Sequence, residues 1–456
     1  MKRILLPLYL ALAGCMPATP ADMPSRAQTE AIGGNLPPMR SFSVPRPSAP
    51  ARANTDIARD FLELSFNLES GRSLPALTRF EGPISVRVTG ARPVGLSSDL
   101  NQLLHRLRTE ARINIRQDQS PSANITIEAV SRAQIRSQLP QAACFVAPNV
   151  SSLAQYRLAR RTSLVDWTAL KSRNKLSIFL PNDASPQEVR DCLHEELAQA
   201  LGPINDLYRL PDSVFNDDNV HTVLTGFDML VLRAYYDPAL RNGMTKSQVA
   251  DRIGPILARI NPRGKNYAPQ RLTRTPRSWI NAIQKALGPG AAPRDRMAAA
   301  KEAMKIAVGM GWTDHRRAFS HYAMGRLMMS TNLVQAREHF NIAARLYSKS
   351  PNTRLHGAYT ASQLASFLIA EGNGEAALRQ IAPFLDTAAR HENAALLSTL
   401  LLQRAEALDL AGRSSEARSV RMDSLGWARY GFGSDWAVRA KLREISSLSP
   451  LKRGRG

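Results

Sequence analysis

Acidic residues are in short supply along this chain: 38 Asp and Glu stand against 60 Lys and Arg in 456 residues, a formal net charge of +22. That balance favours anionic partners, which means nucleic acid inside a cell and phospholipid, lipopolysaccharide or acidic polymers outside it. No RNA- or DNA-binding signature accompanies the basic residues, so nucleic acid is excluded as the expected partner. Also missing is any run of the roughly 20 apolar residues that spans a bilayer, which excludes a helical membrane-spanning protein. Cysteine is scarce, with three residues. No second His or Cys stands at ligand spacing from Cys144 or Cys192, which argues against a cysteine-built metal site. What is present is ample core material, 44% hydrophobic residues, with an ordinary 21% charged. The length predicts two or three domains.

The stretch around which the chain is organised is RDCLHEELAQALGPIND, residues 190–206. In a zinc peptidase, H-E-x-x-H sets two imidazoles one helical turn apart, with the intervening Glu as general base to a metal-bound water. With Glu196 in the general-base slot, Glu195 and Gln199 fall in the two histidine slots, Gly202 ends the helix and Asn205 falls where a longer motif supplies a third ligand. Starting instead at His194 leaves Ala198 four residues on, which binds nothing. A carboxylate with two amide oxygens is a weak ligand set for zinc, so no metal or other cofactor is expected. A plain amphipathic helix with Leu193, Leu197, Ala200 and Leu201 inward and its Glu and Gln outward remains an alternative.

The pattern E-E-x-x-Q-x-x-G-x-x-N resembles the metzincin signature with all three ligands changed. Downstream, residues 212–238 resemble the matrixin-type ending: Ser213-Val214-Phe215 replaces the Met turn, and Leu224, Thr225 and Asp228 supply a helix start. Upstream, ISVRVTG at 84–90 alternates as a strand, residues 97–111 carry Leu at helical spacing behind a Ser cap, and strands follow from Ile113 and Asn124. The resemblance covers roughly residues 81–238. The chain is identified as a member of a family of bacterial envelope proteins known only as a domain of unknown function with this E-E-x-x-Q core, which implies no activity.

At the N-terminus, Met1-Lys2-Arg3, a short apolar stretch at 4–11 and Leu12-Ala13-Gly14-Cys15 resemble a bacterial lipobox. The resemblance implies lipidation of Cys15 and sorting to the outer membrane, facing the periplasm. Residues 16–55, rich in Pro, Ala and Ser, are expected to be a disordered tether. Ile57, Phe61, Leu64 and Leu68 then stand at helical spacing and open the globular part. With Cys15 assigned to lipid, Cys144 and Cys192 are an even pair in an oxidising compartment. A disulfide between them is expected, and two buried thiols are the alternative.

Residues 246–292 are a basic connector with one or two helices, one of them over 246–260. The Arg and Lys density of 263–277, with Tyr267 and Trp279 interleaved, is either a solvated connector or an anionic-surface patch. From 293 to 447 the chain is helical and repeats at a spacing of 40: Gly325, Ala365 and Ala405; Met328, Leu368 and Leu408; Asn332, Gly372 and Gly412. Ala336, Ala377 and Ala417 begin each second helix. This resembles tetratricopeptide repeats, with a plain helical bundle as the alternative. Residues 448–456 form a basic tail.

The expected fold is an α+β metzincin-like domain over 56–245, followed by an all-α helical-repeat domain. The expected function is a non-catalytic binding or scaffolding lipoprotein, held by outer-membrane lipid through Cys15 and recruiting an envelope protein or peptide through its repeats. One alternative is a divergent hydrolase using Glu196 as general base. Another is a basic adaptor to an anionic lipid or polymer. Adjacent Glu195 and Glu196 are not expected to share a helix face.

Overall fold

The computed structural model describes residues 36–42 and 47–452. The expected signal peptide, Cys15, residues 16–35 and 43–46 of the expected tether and the end of the basic tail from residue 453 lie outside the described residues. Helix α1 (Asn54–Phe66) buries Ile57, Phe61 and Leu64, the apolar positions at helical spacing. Next come β1 (Ile84–Gly90), α2 (Leu96–Thr109), β2 (Ile115–Gln117) and β3 (Ile125–Val130), close to their sequence-expected positions. Then follow α3 (Arg132–Gln138), β4 (Phe145–Pro148), α4 (Leu153–Ala159), β5 (Leu176–Pro181), α5 (Pro186–Leu201) and α6 (Gly226–Tyr235).

Among the described residues the strands form one sheet in the order β2-β1-β3-β5-β4. Strand β4 runs antiparallel to β5, and the other neighbours are parallel. Strands β4 and β5 are additions to the sequence reading. LSIFLP of β5 is buried at every residue, as a strand covered on both faces must be, so it shows no alternation to detect. Along it Ile178 and Leu180 face the larger core with α1, α2, α5 and α6, while Phe179 turns to the smaller cluster of Ile135, Phe145 and Leu153. Strand β4 is only four residues long.

The described part of the expected tether is packed, not free. The Arg40 N–H donates to Gly426 O at 3.0 Å, and the Phe42 ring stacks on Trp427 with centroids 4.5 Å apart. The Arg52 guanidinium pairs with Asp60 and Asp212 and lies 4.5 Å over the Phe227 ring. A side chain at Gly226 would put Cβ 2.0 Å from Ser48 O, so only glycine admits this strap. A few aromatic and arginine anchors outweigh a composition that looks coreless.

The connector is also divided differently. Helix α7 (Lys246–Ile260) packs on α1 and belongs with the sheet domain. Helix α8 (Arg277–Leu287) pairs with α9 (Pro293–Gly309), so the helical array opens at Arg277 and not at 293. Trp279 is fully buried, its Nε1–H donating to Ser320 Oγ at 3.0 Å, and is therefore core and not part of a basic patch.

Three hairpins follow in the sequence register. They are α10 (His315–Met328) with α11 (Leu333–Tyr347), α12 (Arg354–Ala370) with α13 (Gly374–Ile381) and α14 (Leu385–Arg390), and α15 (Ala394–Leu410) with α16 (Ser414–Phe432). Helix α17 (Asp435–Ser446) closes the array. Ala365, Ala405, Ala336, Ala377 and Ala417 are all fully buried at the helix crossings. At Gly325 a Cβ would stand 2.8 Å from the Phe340 ring, which is the close approach that small residues permit.

The array is docked on α5. Arg190 is ion-paired to Glu392 with both side chains buried, Ala395 N–H donates to Gln187 Oε1 at 2.8 Å, and Tyr430 O–H donates to Asp99 at 2.9 Å. The two modules thus share a polar, buried interface, and the repeats cannot be cut away without uncovering Arg190.

Candidate functional site

Helix α5 begins with the Ser185 hydroxyl accepting from Glu188 N–H at 3.2 Å, and with Pro186, whose fixed φ suits a first turn. Its last carbonyls are orphans of helix geometry. The buried Arg173 guanidinium answers them, donating to Gln199 O at 2.6 Å, Ala200 O at 2.8 Å and Gly202 O at 2.5 Å. The turn that carries Glu195, Glu196 and Gln199 is thereby fixed. A Cβ at Gly202 would meet the Tyr235 ring at 3.0 Å, so α6 packs tightly against the helix end.

Most of α5 is buried, which overturns the plain surface-helix alternative: Glu196 and Gln199 are 5% and 8% exposed. His194 is spent on structure, its Nδ1 accepting from Leu224 N–H at 3.1 Å. Burial chiefly, with Arg190 and Arg106 adding to it, holds that imidazole well below its ordinary pKa, so it is neutral. Asn205 does not join Glu195 and Gln199. Its amide donates to Glu63 O on α1 at 3.0 Å, tying the loop after α5 to the lead helix. Ser213 O–H donates to Asp228 at 2.5 Å, and Thr225 and Asp228 cap each other reciprocally, so the sequence-expected helix start is a capping box.

Glu195, Glu196 and Gln199 face a cleft of about 800 Å³. Its opposite wall is the segment 139–146, held to α5 by the Cys144–Cys192 disulfide, so that expectation is met. Glu195 and Glu196 both reach the cleft, contrary to the expectation that adjacent residues would diverge. They sit about 100° apart on the helix, and the cleft is wide enough to touch both. Three carboxyls join them from outside the helix: Glu69, Asp206 and Asp217. Asp206 closes the motif stretch and Asp217 lies in the NDD run, yet neither has a motif position. Glu69 is remote in sequence and carries no signal at all.

This crowding sets the protonation. Burial, then Glu69 and Asp217, push Glu195 up to about 8. Burial and Asp217 push Glu69 upward against the opposing Arg277, though less firmly than Glu195, because its surface is exposed to solvent. Glu196 and Asp206 are held well above the usual carboxylate range, first by burial and then by their acidic neighbours. Glu196 Oε2 and Asp206 Oδ1 are buried with no hydrogen-bond partner among the described residues. Unpartnered buried oxygens are costly and concentrate where something else is to be bound or reacted. Among the described residues, no group of three or more His, Cys, Asp or Glu is placed to hold a metal ion. The site's chemistry is therefore that of carboxyl groups poised between proton donor and anion near neutral pH.

No curated protein and no solved structure matches this chain. Residues 54–254, from the first residue of α1 into α7, match the family model described as protein of unknown function (DUF2927), a stretch that holds the sheet, α5 and the five cleft carboxyls.

Proposed function

We propose that this chain is a non-catalytic binding protein of the bacterial cell envelope, anchored through a lipidated Cys15, with a degenerate metzincin-like cleft for a ligand and a tetratricopeptide-like array for a protein partner. The observation that carries the reading is the diversion of the would-be ligands. Asn205 is committed to Glu63 O, and the nearby His194 to Leu224 N–H. Glu195 and Gln199 alone would be a poor zinc set. The order of strands and helices ahead of α5 and the Thr225–Asp228 start of α6 support a metzincin-like plan. The three in-register hairpins, with small residues at each crossing, support repeats of the tetratricopeptide kind.

The hydrolase alternative asks Glu196 to accept a proton from water. Burial, then Glu195 and Glu69, push that carboxyl up, so only its ionised fraction could take the proton. Zinc content decides most simply. The purified chain, loaded with zinc and dialysed, is expected to retain no stoichiometric metal. Tightly held zinc lost on Gln199→Ala would overturn the reading in favour of a metallopeptidase.

A further inference from the structure

The protein is strongly basic overall, at +22, yet it gathers five carboxyls into one cleft beside the largely buried helix α5. An acidic cluster alone proves little, because such groups are often a solvated face. Here one of them is not solvated: Glu196 is 5% exposed, lines the cleft, and its Oε2 has no partner. The side chain meets the cleft while this oxygen is enclosed, and an occupant whose N–H groups take the place of the carboxyl's own proton would satisfy it.

An anionic occupant would be repelled by each of these carboxyls as it ionises and would offer it no N–H donor. A bare divalent ion needs several oxygens converging on one point, and no such group of three exists among the described residues. A ligand with several N–H donors and positive charge, contacting the carboxyls along the cleft instead of at one point, meets both conditions. An ammonium brings three donors and a guanidinium five. Phe145 and Trp167 stand in the same cleft as surface for an alkyl stem, and about 800 Å³ falls within the range of small-ligand sites.

Resting on the binding-protein reading above, we infer that the cleft receives an organic cation, an ammonium or guanidinium on an alkyl chain, seated against Glu195 and Glu196. The cation comes either as a free amine or as a Lys or Arg side chain of a peptide. The charged and titratable groups that face it are Glu195 and Glu196 from α5, Glu69 from the turn after α1, Asp206 and Asp217 from the loops, and Arg277 from α8 as the opposing charge. Because these carboxyls hold protons when the cleft is empty, a bound cation drives protons off. Affinity therefore rises with pH, by roughly tenfold per pH unit for each proton released, up to at least the Glu195 value of about 8.

The test is calorimetric titration of the full chain with agmatine, with a Gly-Arg-Gly amide peptide, and with neutral 1,5-pentanediol, at pH 6, 7 and 8 in buffers of different ionisation enthalpy. Saturable binding of agmatine or the peptide, proton release, tightening with pH and a weaker response to the diol are expected. Preference for agmatine identifies a free amine, and preference for the peptide identifies a side chain. The Glu195→Gln, Glu196→Gln variant should lose at least tenfold in affinity while melting no lower than the parent, since it removes uncompensated buried carboxyls. Diol binding as tight as the cations overturns the ligand class but leaves a binding cleft. Absence of any binding by the cations at pH 8, or affinity indifferent to pH or to the two Gln substitutions, overturns the inference. Stoichiometric zinc would instead overturn the underlying reading.

Discussion

Replacing Glu392 by Leu should destabilise the chain by about 3 to 5 kcal/mol, the usual cost of stripping one partner from a buried ion pair. The magnitude follows from what is left behind. Arg190 is 2% exposed and Glu392 3%, and the Glu392 carboxylate has no hydrogen bond beyond this charge contact. Without it, Arg190 keeps, among the described residues, Asp99 at 3.9 Å, which Tyr430 already engages, and the face of Phe42 at 5.9 Å. Those remnants place the cost toward the lower end of the range. The double variant Arg190→Met, Glu392→Leu removes both charges and should recover most of the loss, since a buried pair is rarely better than a packed apolar one. Urea unfolding followed by tryptophan fluorescence supplies the free energies for a double-mutant cycle. Because this pair joins α5 to the repeats, the parent should unfold in one transition, and the single variant should begin to separate the two modules. Single costs below about 1 kcal/mol, or a double variant as unstable as the sum of the singles, would refute the reasoning.

Thiol titration of denatured, unreduced protein should find neither Cys144 nor Cys192 free, and substituting either should cost about 2 to 5 kcal/mol in urea unfolding. Stability should peak between pH 4.5 and 6.5, for two opposing reasons. Glu195, raised from 4.5 to about 8, contributes stability that is full below 4.5 and is lost as pH rises to its folded value. His221 and His315, lowered from 6.5 to about 4, and His391, lowered to about 3, contribute stability that is lost as pH falls below 6.5. Thermal melts from pH 3 to 9 check this, and Glu195→Gln should flatten the alkaline limb; a melting temperature that climbs steadily to pH 9 would contradict it. Gly325→Ala, which would stabilise an exposed helix by about 1 kcal/mol, should instead destabilise by about 1 to 3 kcal/mol. The reason is that its Cβ would meet Phe340 at 2.8 Å, with that ring backed by Tyr322 and Phe367, and the same urea curves would reveal it.

What the sequence disclosed is what local pattern encodes. Helices α1, α2, α5 and α7 and strands β1 and β3 carry periodicity or caps, and the small residues spaced by 40 mark real helix crossings. Strand β5 was hidden because burial on both faces erases alternation. The strap was hidden because its hold rests on Arg52 and Phe42 reaching distant partners. The same limit applies to the site. Glu195, Glu196 and Gln199 were legible from helical spacing, whereas Glu69, Asp206 and Asp217 meet them only through the fold. Asn205 was legible as a position, but its partner, Glu63 O, was not.

The central claim is that Glu196, its carboxyl held well above the usual range chiefly by burial, lines a cleft built to bind and not to activate water. An infrared difference spectrum at pH 7 between the parent chain and Glu196→Gln addresses it directly. The account predicts loss of a carbonyl stretch from an un-ionised carboxyl, and that band should disappear from the parent when agmatine is added. Loss of carboxylate bands alone, with no un-ionised carboxyl at Glu196, would contradict it and return that residue to the role of a general base.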